Sequence, residues 1–79
     1  MIDIKDILTL SDGNQYGVVN KTIKNNIIYY YLVDTKNPAN IKFCYEEKNN
    51  NQIELVEIED KILIKSLLLD FVNNMQLDF

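Results

Sequence analysis

The sequence contains no histidine, no arginine and no tryptophan, and it has one cysteine and one proline. Histidine is the side chain that most often carries out acid–base catalysis at neutral pH, so its absence disfavours an enzyme. The single cysteine, Cys44, excludes an intramolecular disulfide, and without histidine it cannot complete a zinc site. We therefore expect a protein that is not an enzyme and that binds no metal and no cofactor.

The charge balance is acidic, with eight lysines against twelve aspartates and glutamates and a net charge of −4. Arginine is the residue that reads guanine edges and binds phosphate through two hydrogen bonds, and it is missing here. This balance makes nucleic-acid binding a lesser alternative. The sequence also lacks an apolar run of roughly 18 residues and a basic segment followed by an apolar one near Met1. We expect a cytoplasmic protein without membrane contacts.

The length of 79 residues predicts a single small domain over residues 1–79. A chain of this size buries only about 60% of the surface of its unfolded state, so it often depends on a disulfide, a metal or a partner. Since the first two are not expected, a well-packed monomer or an oligomer remains.

Turn residues divide the first 58 positions into five segments of strand-like composition. The turns fall at residues 11–14, 24–26, 34–40 and 48–51, where asparagine, aspartate and glycine accept the backbone conformations of tight turns. The predicted strands cover residues 4–10, 15–23, 27–34, 41–47 and 52–58. Short consecutive strands predict a five-stranded antiparallel meander, either a bent sheet or a small SH3-like barrel.

The periodicity changes after Glu59 and predicts an amphipathic helix over residues 60–75, so the fold class is α+β. The apolar stripe consists of Ile64, Leu67, Leu68, Phe71, Val72 and Met75. Asp60 is a suitable N-cap. A rotation of about 100° per residue places Ile62 and Leu69 nearly opposite the stripe, where they would be exposed. Alternatively, residues 61–65 form a sixth strand, since they are an apolar run flanked by lysines.

The third predicted strand contains the sequence Ile-Ile-Tyr-Tyr-Tyr-Leu-Val at residues 27–33. Successive side chains of a strand point to opposite faces, so Tyr30 lies on one face and Tyr29 and Tyr31 lie on the other. Both faces are apolar and need cover. The helix can cover only one of them, and the other requires either the curl of the sheet or a second protein.

Tyrosine is enriched at the centres of protein interfaces because it combines a large apolar area with a polar tip. The sequence therefore predicts a non-enzymatic protein-interaction module, either a homodimer or a small regulatory adaptor. The predicted contact residues are Tyr29 or Tyr30, Tyr31, Ile62 and Leu69.

Two alternative functions stay open. The first is a small acidic inhibitor from a mobile element that acts on a host nuclease or another nucleic-acid-binding protein. The second is a small barrel that binds single-stranded nucleic acid weakly, since such barrels stack bases on aromatic rings within a basic groove. The lysines that would supply this groove are Lys21, Lys24, Lys36 and Lys42.

Two segments resemble a known family. The first is Tyr-Glu-Glu-Lys at residues 45–48, followed by an asparagine-rich turn and Ile-Glu-Leu-Val-Glu-Ile-Glu-Asp at residues 53–60. The second is Ile-Leu-Thr-Leu-Ser-Asp-Gly at residues 7–13. Together they resemble the YrzB-like family of small uncharacterised bacterial proteins over roughly residues 4–72. This resemblance implies a compact cytoplasmic protein and brings no catalytic or binding residue with it.

Overall fold

In the computed structural model, which describes residues 2–74, five antiparallel strands form one sheet and a single helix follows. The elements are β1 (Ile7–Thr9), β2 (Gln15–Lys24), β3 (Ile27–Asp34), β4 (Ile41–Asn49), β5 (Gln52–Glu57) and α1 (Lys61–Asn74). The strands are hydrogen-bonded in sequence order, and the sheet curls into a half-barrel. The predicted α+β meander with one C-terminal helix is confirmed.

Pairs of asparagines make the two tightest connections. Asn25 and Asn26 join β2 to β3, and Asn50 and Asn51 join β4 to β5, all four with φ between 50° and 68°. Two successive residues with positive φ are typical of a type I′ turn, whose twist matches that of the flanking strands. Asparagine is one of the few residues that accept this conformation at low cost, which explains why the turns contain it.

The first strand is shorter than the predicted range of 4–10. Residues 3–6 form a turn instead, in which the Asp3 N–H donates to Asp6 Oδ2 at 2.8 Å and the Asp6 N–H donates to the Asp3 carbonyl at 3.1 Å. Lys5 within it has a positive φ of 79°. An aspartate that hydrogen-bonds to nearby backbone competes with the sheet ladder, and this competition displaces the strand start to Ile7.

The alternation predicted for β3 divides the apolar residues between two faces of the sheet. One face, here called the groove face, buries Tyr16, Val18, Tyr30, Leu32 and Cys44. The other, here called the helix face, buries Tyr29, Phe43 and Ile58 together with Leu67 and Phe71 of α1. β3 is therefore covered by α1 on one side and by the curl of the sheet on the other.

Helix α1 packs with a different rotation from the predicted one. Leu67 and Phe71 are buried, but Leu68 is 38% exposed and Val72 is 57% exposed, so the predicted stripe is wrong at these two positions. Ile64 packs against the sheet as predicted, and Leu63, which lies outside the predicted stripe, packs beside it. Residues 61–65 are helical and do not form a sixth strand. Met75, the last member of the predicted stripe, lies outside the described residues.

Polar contacts from β2 explain this rotation. The Lys24 ammonium donates to Ser66 Oγ at 2.8 Å and to Asp70 Oδ2 at 3.2 Å. A β-bulge between Val18 and Asn20 turns the buried Asn20 toward the helix, where its Nδ2 donates to the Phe71 carbonyl at 3.3 Å. That carbonyl belongs to α1, so the bond joins the bulge of β2 directly to the helix. These bonds turn the Ser66–Asp70 side of α1 toward β2.

The N-terminal end of α1 is capped as predicted. Asp60 Oδ1 accepts hydrogen bonds from the N–H groups of Ile62 at 2.9 Å and Leu63 at 3.4 Å. The Asp60 carbonyl accepts the first helical bond, from the Ile64 N–H at 2.9 Å. A side-chain oxygen at this position satisfies N–H groups that the helix itself leaves without a partner.

The rotation of α1 gives a matched pair of substitutions. Phe71→Ala removes a ring that is 1% exposed and leaves a cavity, so we expect the free energy of unfolding to fall by about 3–5 kcal/mol. Val72→Ala, next to it on the exposed side, should lower it by less than about 0.5 kcal/mol at protein concentrations low enough for the chain to be monomeric. Urea denaturation followed by circular dichroism measures both. Equal losses would contradict this placement of the helix.

Candidate protein-binding surfaces

A groove of about 620 Å³ opens on the face of the sheet opposite α1. It lies between β1 and β5, the two edge strands of the half-barrel. Its apolar lining comes from Ile2, Ile7, Leu8, Leu10, Cys44, Ile53 and Leu55. This volume is within the range of roughly 300–1,000 Å³ that is typical of ligand-binding clefts.

A hydrogen-bonded network adjoins the groove through Asp12, which lines it. The Tyr16 hydroxyl donates to Asp12 Oδ2 at 2.7 Å and accepts a hydrogen bond from Asn40 Nδ2 at 3.1 Å. The bond from Tyr16 is the main reason why the pKa of Asp12 is below its ordinary value. Burial, followed by the hydrogen bond to Asp12, raises the pKa of Tyr16. Asp12 is thus held as a carboxylate beside the groove.

Lys42 joins this network from β4. Its ammonium donates to the Glu57 carboxylate, lies 3.9 Å from Asp12 Oδ2, and sits 5.8 Å from the centre of the Tyr16 ring. The hydrogen bond with Glu57 is the main reason why the pKa of Lys42 is raised. One lysine is therefore shared between two carboxylates.

Cys44 lies at the floor of the groove and is 1% exposed. Burial, with a smaller contribution from Glu57, raises the pKa of its thiol to about 11. A thiol with this pKa is almost entirely protonated at neutral pH, and the thiolate is the reactive form.

The three predicted contact tyrosines are not exposed together. Tyr29 is 7% exposed and Tyr30 is fully buried, so the prediction that either ring would face a partner is wrong. The physical reason is that α1 covers Tyr29 and the curl of the sheet covers Tyr30. The Tyr30 hydroxyl donates to Glu46 Oε1 at 3.1 Å, and burial raises the pKa of Tyr30 to about 12. Tyr31 is half-buried, with its ring centre 5.1 Å from that of Phe43.

The structure places the other two predicted contact residues on the surface. Ile62 is 83% exposed and Leu69 is 65% exposed, on the side of α1 that faces away from the sheet. Leu68 and Val72, which the sequence assigned to the core, are exposed beside them. We call these four residues the α1 strip. Lys65 is also exposed on this side of the helix.

Most of the lysines named for nucleic-acid binding are paired with carboxylates. Lys21 lies 2.9 Å from Asp3, and Lys24 lies 3.2 Å from Asp70. Lys42 is paired as described above. The carboxylates beside these three lysines weaken the positive field on which single-strand binding depends.

Within residues 2–74, acidic and cysteine side chains nowhere gather in a group of three or more that could hold a metal ion. The same part of the chain contains no helix that is both long and apolar enough to cross a membrane. No protein-family model matches the sequence, and neither curated proteins nor solved structures show a significant match.

The groove itself was not predicted from the sequence. Two features of the sequence indicate where it lies. In a sequential meander the first and last strands are the edges of the sheet, and both of these strands have apolar residues at alternate positions. Leu8 and Leu10 alternate at β1, and Ile53 and Leu55 alternate on β5. What the sequence did not reveal is that the sheet curls far enough for both strands to line one groove.

The burial of Cys44 predicts slow modification by a disulfide reagent. At pH 8, a thiol of pKa about 11 holds a few hundredfold less thiolate than an ordinary thiol. We expect the native protein to react with 5,5′-dithiobis(2-nitrobenzoate) at least about a hundredfold more slowly than the same protein unfolded in urea. Similar rates in the two states would contradict the burial of this thiol.

The Tyr16–Asp12 bond predicts a dependence of stability on pH. The pKa of Asp12 is lower in the folded than in the unfolded chain, so its ionised form stabilises the fold above the unfolded pKa. This stabilisation is lost as the pH falls through the lowered folded pKa. Tyr16→Phe removes the donor, so we expect this variant to have a lower free energy of unfolding than the unmodified protein. The difference between the two proteins should be constant near neutral pH and should shrink below about pH 4.

Urea denaturation of both proteins across this pH range measures the difference. Asp3 and Asp34 also have lowered pKa values, but both proteins contain them, so their effects cancel in the difference. A difference that does not change with pH would contradict the role of the bond.

Proposed function

We propose that this protein is a non-enzymatic protein-interaction module that forms a homodimer through the α1 strip. The observation that carries the proposal is the exposure of Ile62 and Leu69, at 83% and 65%, on one side of a single helix. Exposed apolar residues that adjoin one another mark interaction sites more often than scattered ones do.

Three residues of the strip, together with Lys65, have a spacing that suits pairing with a second helix. Ile62, Lys65, Leu69 and Val72 are separated by three, four and three residues, which is the spacing of a coiled-coil seam. In an antiparallel pair around a twofold axis, Ile62 of one protomer would lie beside Val72 of the other. The aliphatic part of Lys65 would cover Leu69 and leave its ammonium in water.

Three further features support an interaction module over an enzyme or a nucleic-acid binder. The chain has no histidine, its one cysteine is buried with a raised pKa, and most of its candidate binding lysines are neutralised by carboxylates. A cytoplasmic location, predicted from the sequence, and kinship with the YrzB-like family, predicted from the resemblance of residues 4–72, belong to the same proposal.

Lysines placed in the strip should disrupt the dimer. Burying an apolar side chain of this size contributes about 1.5–3 kcal/mol, so Ile62→Lys with Leu69→Lys should weaken dimerisation by well over tenfold. Size-exclusion chromatography with light scattering, over a series of protein concentrations, measures the association. In the antiparallel pair, Leu69→Lys would also place an ammonium group beside Lys65 of the other protomer, so local charge repulsion would add to the loss of apolar burial.

Ile7→Lys is the matched control because Ile7 is 62% exposed but lies on β1, away from α1. We expect this variant to dimerise as the unmodified protein does. A protein that stays monomeric at every concentration would overturn the proposal. If the variant with Ile62→Lys and Leu69→Lys still dimerises while Ile7→Lys does not, the interface lies at β1 and the proposal is wrong.

A further inference from the structure

We infer that the groove between β1 and β5 binds an extended peptide segment of another protein, which adds as a strand to the edge of β5. The segment has apolar side chains at alternate residues and lysine or arginine between them. This site is separate from the α1 strip, because the groove opens on the opposite face of the sheet.

Alternate N–H and C=O groups of β5 point away from β4, as pairing with an added strand requires. The Ile58 N–H donates to the Phe43 carbonyl at 2.7 Å, toward β4. Backbone groups of an antiparallel strand alternate in direction, so those of Leu55 and Glu57 point away from β4. β5 has no second strand beside it among residues 2–74, so this row of donors and acceptors is available to an added strand.

The backbone of β1 limits the groove on its other side. The Leu10 N–H donates to the Asn14 carbonyl at 3.1 Å, toward the β2 side of the strand. By the same alternation, the N–H groups of Ile7 and Thr9 point away from β2. β1 has only three residues against six in β5, so β5 offers the longer edge.

The side chains that line the groove favour apolar residues at every second position of the ligand. Leu8 and Leu55 are both partly buried against the core of the groove face, and Cys44 lies between them at the floor. Side chains on one face of a strand recur every second residue, so an added strand would direct half of its side chains onto this lining. The other half would face solvent.

The charges around the groove favour a basic ligand. Asp12, Glu54 and Glu57 line it against a single lysine, Lys42, which already contacts two of these carboxylates. The acidic excess attracts lysine or arginine and disfavours a second copy of this chain, whose net charge is −4. This difference is why the inferred occupant is a segment of another protein.

A synthetic peptide tests the inference directly. The probe is a fluorescein-labelled, capped heptapeptide in which lysine and valine alternate, titrated with the full-length protein in low salt and followed by fluorescence anisotropy. One control peptide replaces lysine with glutamate. A second keeps the composition but groups the valines together, which removes the alternation.

Two protein variants test the contacts of the site. Leu55→Pro deletes a backbone donor that points into the groove and leaves the β4 ladder intact, since proline is accepted on an edge strand in this position. We expect it to weaken binding at least about tenfold relative to Leu55→Ala, which loses the side chain but keeps the donor. Glu57→Gln should weaken binding several-fold, and Glu59→Gln, the same change at a residue that does not line the groove, should leave it unchanged.

Nuclear magnetic resonance of the unmodified protein, with the lysine–valine probe added, tests the inference without any variant. The test therefore does not depend on whether the variants fold. Bound probe should shift the amide signals of Leu55, Glu57, Ile7 and Thr9 while those of the α1 strip stay in place. Saturable binding of the alternating lysine peptide alone, with these shifts, would support the inference. Three results would each overturn the inference: no saturable binding, equal binding of all three peptides, or shifts confined to α1. None of these results depends on whether the protein is a monomer or a dimer.

Discussion

The two-sided burial of β3 is the constraint on which the rest of the structure depends. Tyr30 on one face and Tyr29 on the other are both removed from water, so the sheet needs cover on both sides. Burial of a large aromatic ring contributes several kcal/mol only if its polar tip stays satisfied. The Tyr30 hydroxyl meets this condition by donating to Glu46 at the surface. A flat sheet with one helix would leave one tyrosine face exposed, and the curl of the sheet resolves this conflict.

The same requirement fixes the position of α1. Phe71 has to reach the helix face beside Tyr31, where their ring centres lie 5.8 Å apart. The bulge in β2 brings the Asn20 amide to the Phe71 carbonyl, which ties the end of the helix to the centre of the sheet. Loss of this buried amide would remove a hydrogen bond between the helix and the sheet. Packing and hydrogen bonding thus act on the same turn of α1.

The strands, the turns and the presence of the helix followed from local sequence, because asparagine turns and hydrophobic periodicity are local signals. The rotation of α1 did not follow, because it depends on Lys24 and Asn20 of β2, which are more than forty residues away in the chain. The exposure of Ile62 and Leu69 was predicted from periodicity, whereas that of Leu68 and Val72 was not. The groove was missed for the same reason, since the degree of curl is set by contacts among all five strands.

Both proposed surfaces arise from one limitation of a chain of this size. Five strands curl far enough to bury Tyr30 but do not close, so β1 and β5 remain as edges with a groove between them. One helix of fourteen residues covers the helix face, but no further element covers its outer side, where Ile62 and Leu69 lie. A larger domain would cover these sites with additional elements. Residues 2–74 contain no such element, and this is why we propose both surfaces as sites of intermolecular contact.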